Sequence, residues 1–449
     1  MGKSLEMDLT KGSITRNLLV FSLPFLGANL VQSLYSLVDM MMVGWFSDAG
    51  GIAGVSVGGS LSMTVNSLVS GVTMGGTVLI AQYLGAKKRD ELVQIIGTML
   101  TTFAIAAVVL MGIMLAGAGS FLRLMRTPPE AFGPARDYVV ICTLGMVFIF
   151  GYNAISAILR GMGDSRSPLI FIAVACVTNI VLDALFVGGW RLGAAGAAIA
   201  TVIAQALSMV LSIVYLKRRE FIFAFRLANF KPHADKVKAL LKLGLPISLQ
   251  ETMVHFSFMF ITTLVNTFGV SAAAAVGIAG KFEGFAMLPA TALSSAIASM
   301  AAQNIGAGLH ERAYRTMKTG IAIAFGVSLI FFAWAQISPA SVLGIFQADE
   351  EVIAAGASYL RAFSFDFMAV AFVFCMNGFF NSCGRTTFTM VNSLTATFLV
   401  RVPMAYVLGK ALGMGIFGIG LAAPLASLVS ILMGFVYFRS GRWRGAQLV

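Results

Sequence analysis

Long apolar runs are the feature that most limits what this chain can fold into. The 449 residues are 58% hydrophobic and only 11% charged, about half the charged fraction of a typical soluble protein. A helix needs about 20 apolar residues to cross a bilayer, and these runs lack the alternation of barrel strands. We therefore expect an all-α integral membrane protein with twelve spans, at 17–43, 52–83, 92–120, 134–159, 166–188, 193–216, 241–266, 274–304, 316–345, 353–382, 386–410 and 416–438.

The net charge of +12 is explained by its distribution between loops. If the N-terminal tail is inside, most Lys and Arg fall on the same side, including Lys3, Lys11, Arg16, the "KKR" at 87–89 and the connector 217–242. This is the positive-inside pattern. It predicts both termini in the cytoplasm, a multi-pass location in the cytoplasmic (inner) membrane, and contact with the lipid bilayer. It argues against a nucleic-acid partner.

The four cysteines and the first span do not indicate a cofactor or a processed leader. The cysteines lie in or at the ends of spans without C-x-x-C spacing, so neither a disulfide frame nor a metal site is expected. The first apolar run is too long for a cleavable signal and contains Asp39. No cofactor is expected.

The chain is a tandem repeat with a shift of 221 or 222 positions. Each half contains an even number of spans, so both halves have the same orientation, as in one class of secondary transporters. Landmark pairs are Pro24 with Pro246, "AQYLGA" at 81–86 with "AQNIGA" at 302–307, Tyr138 with Tyr359, and Gly163 with Gly384.

This repeat predicts two pseudo-symmetric six-helix lobes, at 1–219 and 241–449, with a cytoplasmic connector at 220–240. Two similar lobes favour alternating access. A channel is the alternative, but the sequence has no glycine-rich selectivity filter and no ring of like charges.

Two carboxylates lie well inside hydrocarbon in the first half. Asp39 and Asp183 each precede the outer end of a span by four or five residues, which corresponds to about 6–8 Å of helix. Asn179 lies one turn before Asp183 and Tyr35 one turn before Asp39, each on the same face as its acid. Span 6 runs back inward from the same edge and brings Ala197 and Thr201 to a similar depth. We therefore expect Tyr35, Asp39, Asn179, Asp183, Ala197 and Thr201 to converge.

A buried carboxylate in a membrane is costly unless it is protonated, paired or bound to a cation, and such acids usually mark functional sites. Desolvation and a second acid nearby favour protonation of at least one of them. The same oxygens suit Na⁺. We therefore interpret Asp39 and Asp183 as a proton or Na⁺ coupling site, with a purely structural polar contact as the alternative. No other metal site is expected.

The second half does not copy this pair. Ile261 stands at the position of Asp39, Ala405 at that of Asp183, and Arg401 at that of Asn179. Either Glu283 or Asp366 contacts a cationic substrate, or Arg401 forms a buried structural pair with Asp366 or Glu251. Lys281 and Glu283 are two apart, so they point to different faces. The candidate residues of this half are Glu251, Lys281, Glu283, Asp366 and Arg401.

The repeat, "LVDMMMVG", "AQYLGA", "NAISAILRGMGDSRSP" and "TNIVLDALFV…GAAGAAIATVIAQ" together resemble the MATE (multidrug and toxic compound extrusion) transporters, over nearly the whole chain. The DinF-like prokaryotic branch is the most similar. The resemblance implies twelve helices in two lobes around a cavity that admits amphipathic organic cations, with export driven by H⁺ or Na⁺. Asp39, Asn179, Asp183, Ala197 and Thr201 match the N-lobe cation-binding positions of the family one for one.

One position departs from the family. The norfloxacin-exporter branch carries a Glu about eight residues after the proline of span 7, whereas Glu251 follows Pro246 by five and faces elsewhere. We therefore do not assign to Glu251 the coupling role that the Glu of span 7 has in that branch. Pro24 and Pro246 each remove a helical hydrogen bond and can kink their spans. In the family interpretation span 1 bends at Pro24 when Asp39 changes state; the alternative is a static kink.

Sequence features also bear on two other functions, an intramembrane protease and a flippase. "GMGD" at 161–164 matches an intramembrane aspartyl protease motif, but Asp164 lies at the cytoplasmic face and Asp183 near the other, so an enzyme is not expected. Asp164 instead closes an inner gate or caps span 5. The other rival is a flippase for lipid-linked oligosaccharide from the same superfamily. We therefore predict a monomeric secondary antiporter that exports small organic cations.

Overall fold

The computed structural model describes residues 7–219, 221–226, 229–344 and 349–444. Within these ranges the fold is helical and contains no strand. The helices are α1 Ile14–Phe46, α2 Ala49–Gly85, α3 Arg89–Leu124, α4 Pro129–Leu144, α5 Met146–Gly161, α6 Arg166–Asp183, α7 Gly193–Arg218, α8 Ala234–Asn266, α9 Val270–Gly306, α10 His310–Ile337, α11 Pro339–Gly344, α12 Glu350–Phe363, α13 Phe365–Ser382, α14 Thr386–Leu394, α15 Val402–Tyr406 and α16 Gly415–Arg439. Three π-helical segments occur in the described chain, at Ala184–Gly189, Thr395–Arg401 and Val407–Ala411.

Each expected span corresponds to one of these helices or to a consecutive set of them. The fourth span is a pair, α4 and α5, bent by 50° at Gly145. The tenth is α12 followed by α13, and the eleventh alternates between α- and π-helix. The ninth ends with α11 at Gly344, since 345 lies outside the described residues, as do positions 220, 227 and 228 of the predicted connector.

Among the described residues ten helices are long and apolar enough to cross a membrane, or eleven when the bent pair counts as one span. The seventh expected span is α8, which is 33 residues long but more polar, with three lysines in its first nine residues. Only 22% of the most apolar window of α3 is buried inside the protein, and the same holds for α10. Apolar surface of this extent faces lipid, so this is a multi-pass membrane protein.

Helix ends follow from local capping chemistry. The Asp48 carboxylate accepts a hydrogen bond from the backbone N–H of Gly51 at 2.8 Å and caps α2. The Asp164 carboxylate accepts from the N–H groups of Arg166 and Ser167, both at 3.0 Å, and so caps α6. We expected Asp164 either to close an inner gate or to cap span 5, and these hydrogen bonds correspond to the cap.

The turn before α6 depends on glycine. Gly163 has φ +90°, and a Cβ there would lie 2.8 Å from the Met7 carbonyl oxygen. The corresponding residue of the second half, Gly384, has φ +72°. Because L side chains rarely adopt such φ values, the shared glycine preserves one turn geometry in both halves.

The chain folds into two compact units. The first contains Leu23–Ser248 and the described part of Met1–Asp8; the second contains Leu9–Ser22 and the described part of Leu249–Val449. α1 and α8 each pass from one unit to the other within two residues of a proline, Pro24 or Pro246. Both helices continue on either side of the proline, and a kink at either position remains a prediction.

In each unit, residues of the repeated motif "AQYLGA" or "AQNIGA" contact the segment that begins a half. In the second unit, the backbone N–H of Leu9 donates to Oε1 of Gln303 at 2.6 Å, and the Asn304 amide donates to the Leu9 carbonyl at 3.4 Å. In the first unit, the ammonium of Lys236 donates to the Tyr83 hydroxyl at 2.8 Å and pairs with Glu91. Burial alone would lower the pKa of Lys236, but its bonds to Glu91 and Tyr83 raise it above its usual range.

Candidate functional site

Three helices of the first unit place the predicted site residues together. α1 carries Tyr35 and Asp39, α6 carries Asn179 and ends at Asp183, and α7 carries Ala197 and Thr201. The π-helical segment Ala184–Gly189 starts directly after the second acid. π-Helical turns inside α-helices are frequent at functional sites.

α7 comes unusually close to this π-helical segment. A Cβ at Gly196 would lie 3.2 Å from both the backbone carbon and the Cβ of Phe186. The absence of a side chain at Gly196 therefore lets α7 pack closely against the π-helical segment that follows Asp183. Its neighbour Ala197 is fully buried in an apolar cluster with Tyr138 and Val187.

Hydrogen bonds connect four of the predicted residues. The Tyr35 and Thr201 hydroxyl oxygens are 2.8 Å apart. The Asn179 side chain forms two hydrogen bonds when its amide nitrogen faces Asp183. The nitrogen then donates to Oδ2 of Asp183 at 2.8 Å, and the amide oxygen accepts from the backbone N–H of Thr201 at 3.2 Å. Tyr35, Thr201, Asn179 and Asp183 thus form one hydrogen-bonded network.

The two acids lie at the centre of this network, and each can accept further hydrogen bonds. Asp183 is fully buried and Asp39 is 9% exposed. Their carboxyl groups are close enough to share a hydrogen bond. Oδ1 of each is buried without a hydrogen-bond partner in the described part of the chain, and neither acid forms an ion pair with a described basic residue. An unsatisfied buried carboxyl oxygen is costly, so the pair is suited to accept a proton or a cation.

A bound cation would rely on few charged ligands. The described residues contain no group of three or more His, Cys, Asp or Glu side chains that could hold a metal ion. The charge available is that of two carboxylates, supplemented by the hydroxyls of Tyr35 and Thr201 and the amide of Asn179. This oxygen-rich set suits H⁺ or Na⁺ better than a transition metal.

Two neighbours of the acids were missed from the sequence. Tyr138 and Cys142 on α4 belong to the apolar cluster beside the site, and both lie within electrostatic range of Asp39. Tyr138 recurs as Tyr359 in the second half, and this repetition could have marked Tyr138 as a neighbour of the site. Tyr138 and Tyr359 keep the spacing of the repeat, whereas no pattern in the sequence marks Cys142.

The second unit brings together a different set. Glu283 on α9 and Asp366 on α13 are 7% and 5% exposed. Glu283 hydrogen-bonds Tyr359, and Asp366 hydrogen-bonds Ser427. Glu283 Oε1 and Asp366 Oδ1 remain buried without a partner among the described residues.

Arg401 lies within electrostatic range of both of these acids. Its guanidinium is 4.4 Å from the centroid of the Phe258 ring, and no ion pair within 4.0 Å joins it to a described carboxylate. Lys281 is exposed while Glu283 is buried, so they face different sides of α9 as their spacing predicts, and Glu251 on α8 is half-buried. Arg401 and Asp366 are therefore close enough to interact electrostatically, but they do not form a direct ion pair.

Comparison with known families decides what this arrangement belongs to. The MatE family model matches residues 24–185 and again 246–407. The two matches are offset by the repeat seen in the sequence, and they contain the buried acids of both clusters described above. The chain belongs to the MATE family.

Curated MATE relatives extend along the whole chain. A probable multidrug resistance protein of Bacillus subtilis, YpnP, is 29% identical and covers 98% of each chain. A second from the same organism, YoeA, is 30% identical over 98% of this chain and 96% of its own. The resemblance to MATE transporters seen in the sequence is thereby confirmed.

A solved structure shows the same fold. An outward-facing multidrug resistance MATE family transporter of the MOP superfamily superimposes with a TM-score of 0.92, at 22% identity and over 98% of each chain. The all-helical, two-lobed MATE fold is confirmed.

Proposed function

We propose that this MATE protein is a secondary active multidrug antiporter that exports amphipathic organic cations in exchange for H⁺ or Na⁺. The coupling site is the pair Asp39 and Asp183. One observation carries this: two buried carboxyl groups share a hydrogen-bonding distance, and each keeps an oxygen without a partner. The names of the relatives, which are probable multidrug resistance proteins, support the transport class.

The physical basis is the cost of negative charge in a buried site. Two carboxylates in contact cannot both stay ionised away from water, because desolvation and mutual repulsion add. A proton or Na⁺ relieves this cost, and Asn179, Tyr35 and Thr201 orient the carboxyl groups that receive it. The site therefore alternates between a loaded and an unloaded state with different preferred surroundings.

Antiport follows if the two states differ in affinity for the substrate. The outward-open protein takes a cation at Asp39 and Asp183, this lowers the affinity for the drug, and the drug leaves to the outside. The lobes, residues 1–219 and 241–449, then rock inward around the connector 220–240. Unloading of the ion to the cytoplasm restores the affinity for the next substrate.

We assign substrate binding to the cluster of the second unit, which contains Glu283 and Asp366. Glu283 and Asp366 each have a buried oxygen without a partner and lack direct ion pairs among the described residues, so they supply negative charge to an organic cation. Arg401 limits that charge without cancelling it. The protein works as a monomer in the cytoplasmic membrane with both termini inside, in keeping with its Lys and Arg distribution.

Ethidium movement in proteoliposomes tests the proposal, with a proton gradient and a sodium gradient imposed separately. Wild type should transport under at least one gradient, and Asp183→Asn should not. Asp137→Asn is the matched control, because Asp137 is an exposed carboxylate on α4; it should transport like wild type. Transport at the wild-type rate by Asp183→Asn would remove the coupling role of the acid pair.

A second candidate is a flippase for lipid-linked oligosaccharide or another lipid-like substrate. The observation that favours it is Arg401. Its guanidinium has no ion pair within 4.0 Å among the described residues, packs on the ring of Phe258 and suits a pyrophosphate. Translocation of a fluorescent lipid-linked sugar by the same proteoliposomes, with no ethidium movement under either gradient, would favour this function over drug export.

A further inference from the structure

The end of α16 carries a cluster of arginines that the transport cycle proposed above does not use. Arg439 is the last residue of the helix, and Arg442 and Arg444 follow in the next turn. All three side chains are exposed. Arg385, in the turn between α13 and α14, donates from Nη2 to the carbonyl oxygen of Arg442 at 2.5 Å. The second unit therefore gathers four arginines around one helix end.

No acidic residue of this part of the chain balances the cluster. The sequence contains no Asp or Glu after Asp366, and none of the four arginines forms an ion pair within 4.0 Å with a described carboxylate. On α10, whose Tyr314 ring stacks on that of Phe438 near the end of α16, Glu311 pairs with Arg315 at 3.2 Å. The end of α16 therefore has a net positive charge.

The repeat shows that this charge distribution is particular to the second half. With the shift of 221 positions, Arg385 stands at the position of Asp164. The Tyr215 hydroxyl, near the end of α7, donates to the Asp164 carboxylate at 3.4 Å. The end of α7 thus has a negative charge near its own basic residues, Lys217 and Arg218, whereas the corresponding end of α16 has a further guanidinium.

Aromatic packing holds the arginine-bearing turn in place. Trp443 is 4% exposed, and its ring stacks on that of Phe438 and forms an edge contact with that of Phe379. Its Nε1 donates to the Phe438 carbonyl oxygen at 3.1 Å, and the hydrogen bond from Arg385 to Arg442 fixes the same turn. A rigid backbone therefore presents the guanidinium groups, which lowers the entropic cost of binding a ligand.

An exposed apolar face of α16 leads up to these arginines. Leu428, Leu432 and Val436 recur every fourth residue and are 52%, 63% and 68% exposed, so they lie one above another on the helix. Phe435 is also exposed, and the Arg439 guanidinium lies 4.9 Å from the centroid of its ring. The face is therefore apolar over about 12 Å of the axis and basic at its end.

We propose that this end of α16 binds an anionic phospholipid. The headgroup phosphate contacts Arg439 and Arg442, whose planar guanidinium groups suit phosphate oxygens, and one acyl chain lies along Val436, Leu432 and Leu428. This rests on the topology in the proposed function, which places the end of α16 at the cytoplasmic face. There the arginines meet the headgroup layer, whose anionic lipids attract basic side chains, and the apolar face meets the hydrocarbon.

Two complementary features identify the occupant. A free phosphate would use the arginines and leave the apolar face bare, while a neutral lipid would use the face and leave the guanidinium groups without a counter-ion. An anionic phospholipid uses both. The arginines and the apolar face follow each other along one helix in the order of a headgroup and its acyl chain.

Lipid binding to the purified full-length protein tests the proposal, by titration in detergent with native mass spectrometry as the readout of the first bound lipid. The probes are dioleoyl phosphatidylglycerol, dioleoyl phosphatidylcholine and dihexanoyl phosphatidylglycerol. The variant R439Q/R442Q is compared with K217Q/R218Q, which removes two exposed basic residues from the end of α7. Wild type should bind dioleoyl phosphatidylglycerol in preference to the phosphatidylcholine, and equal binding of the two would contradict an anionic headgroup.

R439Q/R442Q should weaken the binding of dioleoyl phosphatidylglycerol about 30-fold, because each basic residue near an anionic lipid contributes a factor of about five. K217Q/R218Q should match wild type. Equal affinities of wild type and R439Q/R442Q would overturn the proposal. Equal losses in the two double variants would also overturn it, because they would indicate a general attraction between charges in place of a site.

The apolar face is tested separately. Leu428→Ser should weaken the binding of dioleoyl phosphatidylglycerol about fivefold and leave that of the dihexanoyl lipid unchanged, since Leu428 lies about 16 Å along the helix from Arg439, beyond the reach of a short chain. Equal losses for both lipids, or no loss for either, would contradict the acyl-chain placement. Because binding is measured without transport, failure of this proposal and failure of the antiport proposal are distinguishable.

Discussion

The two halves of this protein keep the same frame and place their charges at different positions. In the first unit Asp39 and Asp183 form a buried pair. The corresponding Ile261 and Ala405 lie in an apolar cluster around Tyr359. That cluster's buried acids instead come from α9 and α13, at positions where the first half has none.

The shared parts are those that determine backbone geometry. Gly163 and Gly384 adopt positive φ at the same turn, and π-helical segments begin just after Asp183 and two residues after Ala405. After duplication the backbone constraints were kept, and the polar chemistry of each unit diverged. In the proposed function, this difference assigns a small ion to the first unit and a larger organic cation to the second.

The largest effect should come from the first pair. Asp39→Asn and Asp183→Asn should each lower gradient-driven ethidium efflux at least about 100-fold, and the double variant should lose no more than either single one, because residues that act as a unit are not additive. Initial rates in proteoliposomes measure this. Additive losses would show two independent sites in place of one.

Transplanting an acid into the second unit should destabilise it. In Ala405→Asp the larger, polar carboxyl group enters a fully buried position in the apolar cluster that contains Ile261 and Tyr359. A charged group so placed costs about 3 kcal/mol. The thermal unfolding midpoint in detergent should fall well below that of Ala405→Ser. Equal midpoints would mean that the second unit tolerates an acid at this position as the first unit does.

Loss of the second-unit acids should change substrate binding more than coupling. Asp366→Asn removes charge beside Arg401, so the KM for ethidium should rise about tenfold, the value of one charge-assisted contact. The dependence on the driving ion should stay as in wild type, as judged from rates under the two gradients. Loss of ion dependence in this variant would assign coupling to both units.

The smallest effect should come from the hydroxyl pair beside the acids. Thr201→Val and Tyr35→Phe each remove the same hydrogen bond, so each should lower coupled transport about threefold to tenfold. Because the bond joins both residues, the double variant should resemble either single one. A double-mutant cycle on transport rates measures this, and full additivity would contradict a direct role for the bond.

The sequence was sufficient for the parts of the fold governed by periodicity and spacing. The first span, expected at 17–43, is α1 at Ile14–Phe46, and the i and i+4 spacing of Asn179 and Asp183 places them in contact. The bend at Gly145 and the π-helical segments were not predicted, because hydrophobicity stays uniform across them. Tyr138, Cys142 and the partner of Lys236 lie far from their neighbours along the chain, so only the tertiary structure reveals those contacts.

The central claim is that an ion bound at Asp39 and Asp183 lowers the affinity of the protein for its substrate. Equilibrium binding of ethidium to the purified protein, titrated against H⁺ and separately against Na⁺, tests it most directly, because linkage requires each ligand to weaken the other. Wild type should lose ethidium affinity as one of the two ions rises, and Asp183→Asn should bind ethidium independently of that ion. The same ion dependence in both proteins would contradict the account.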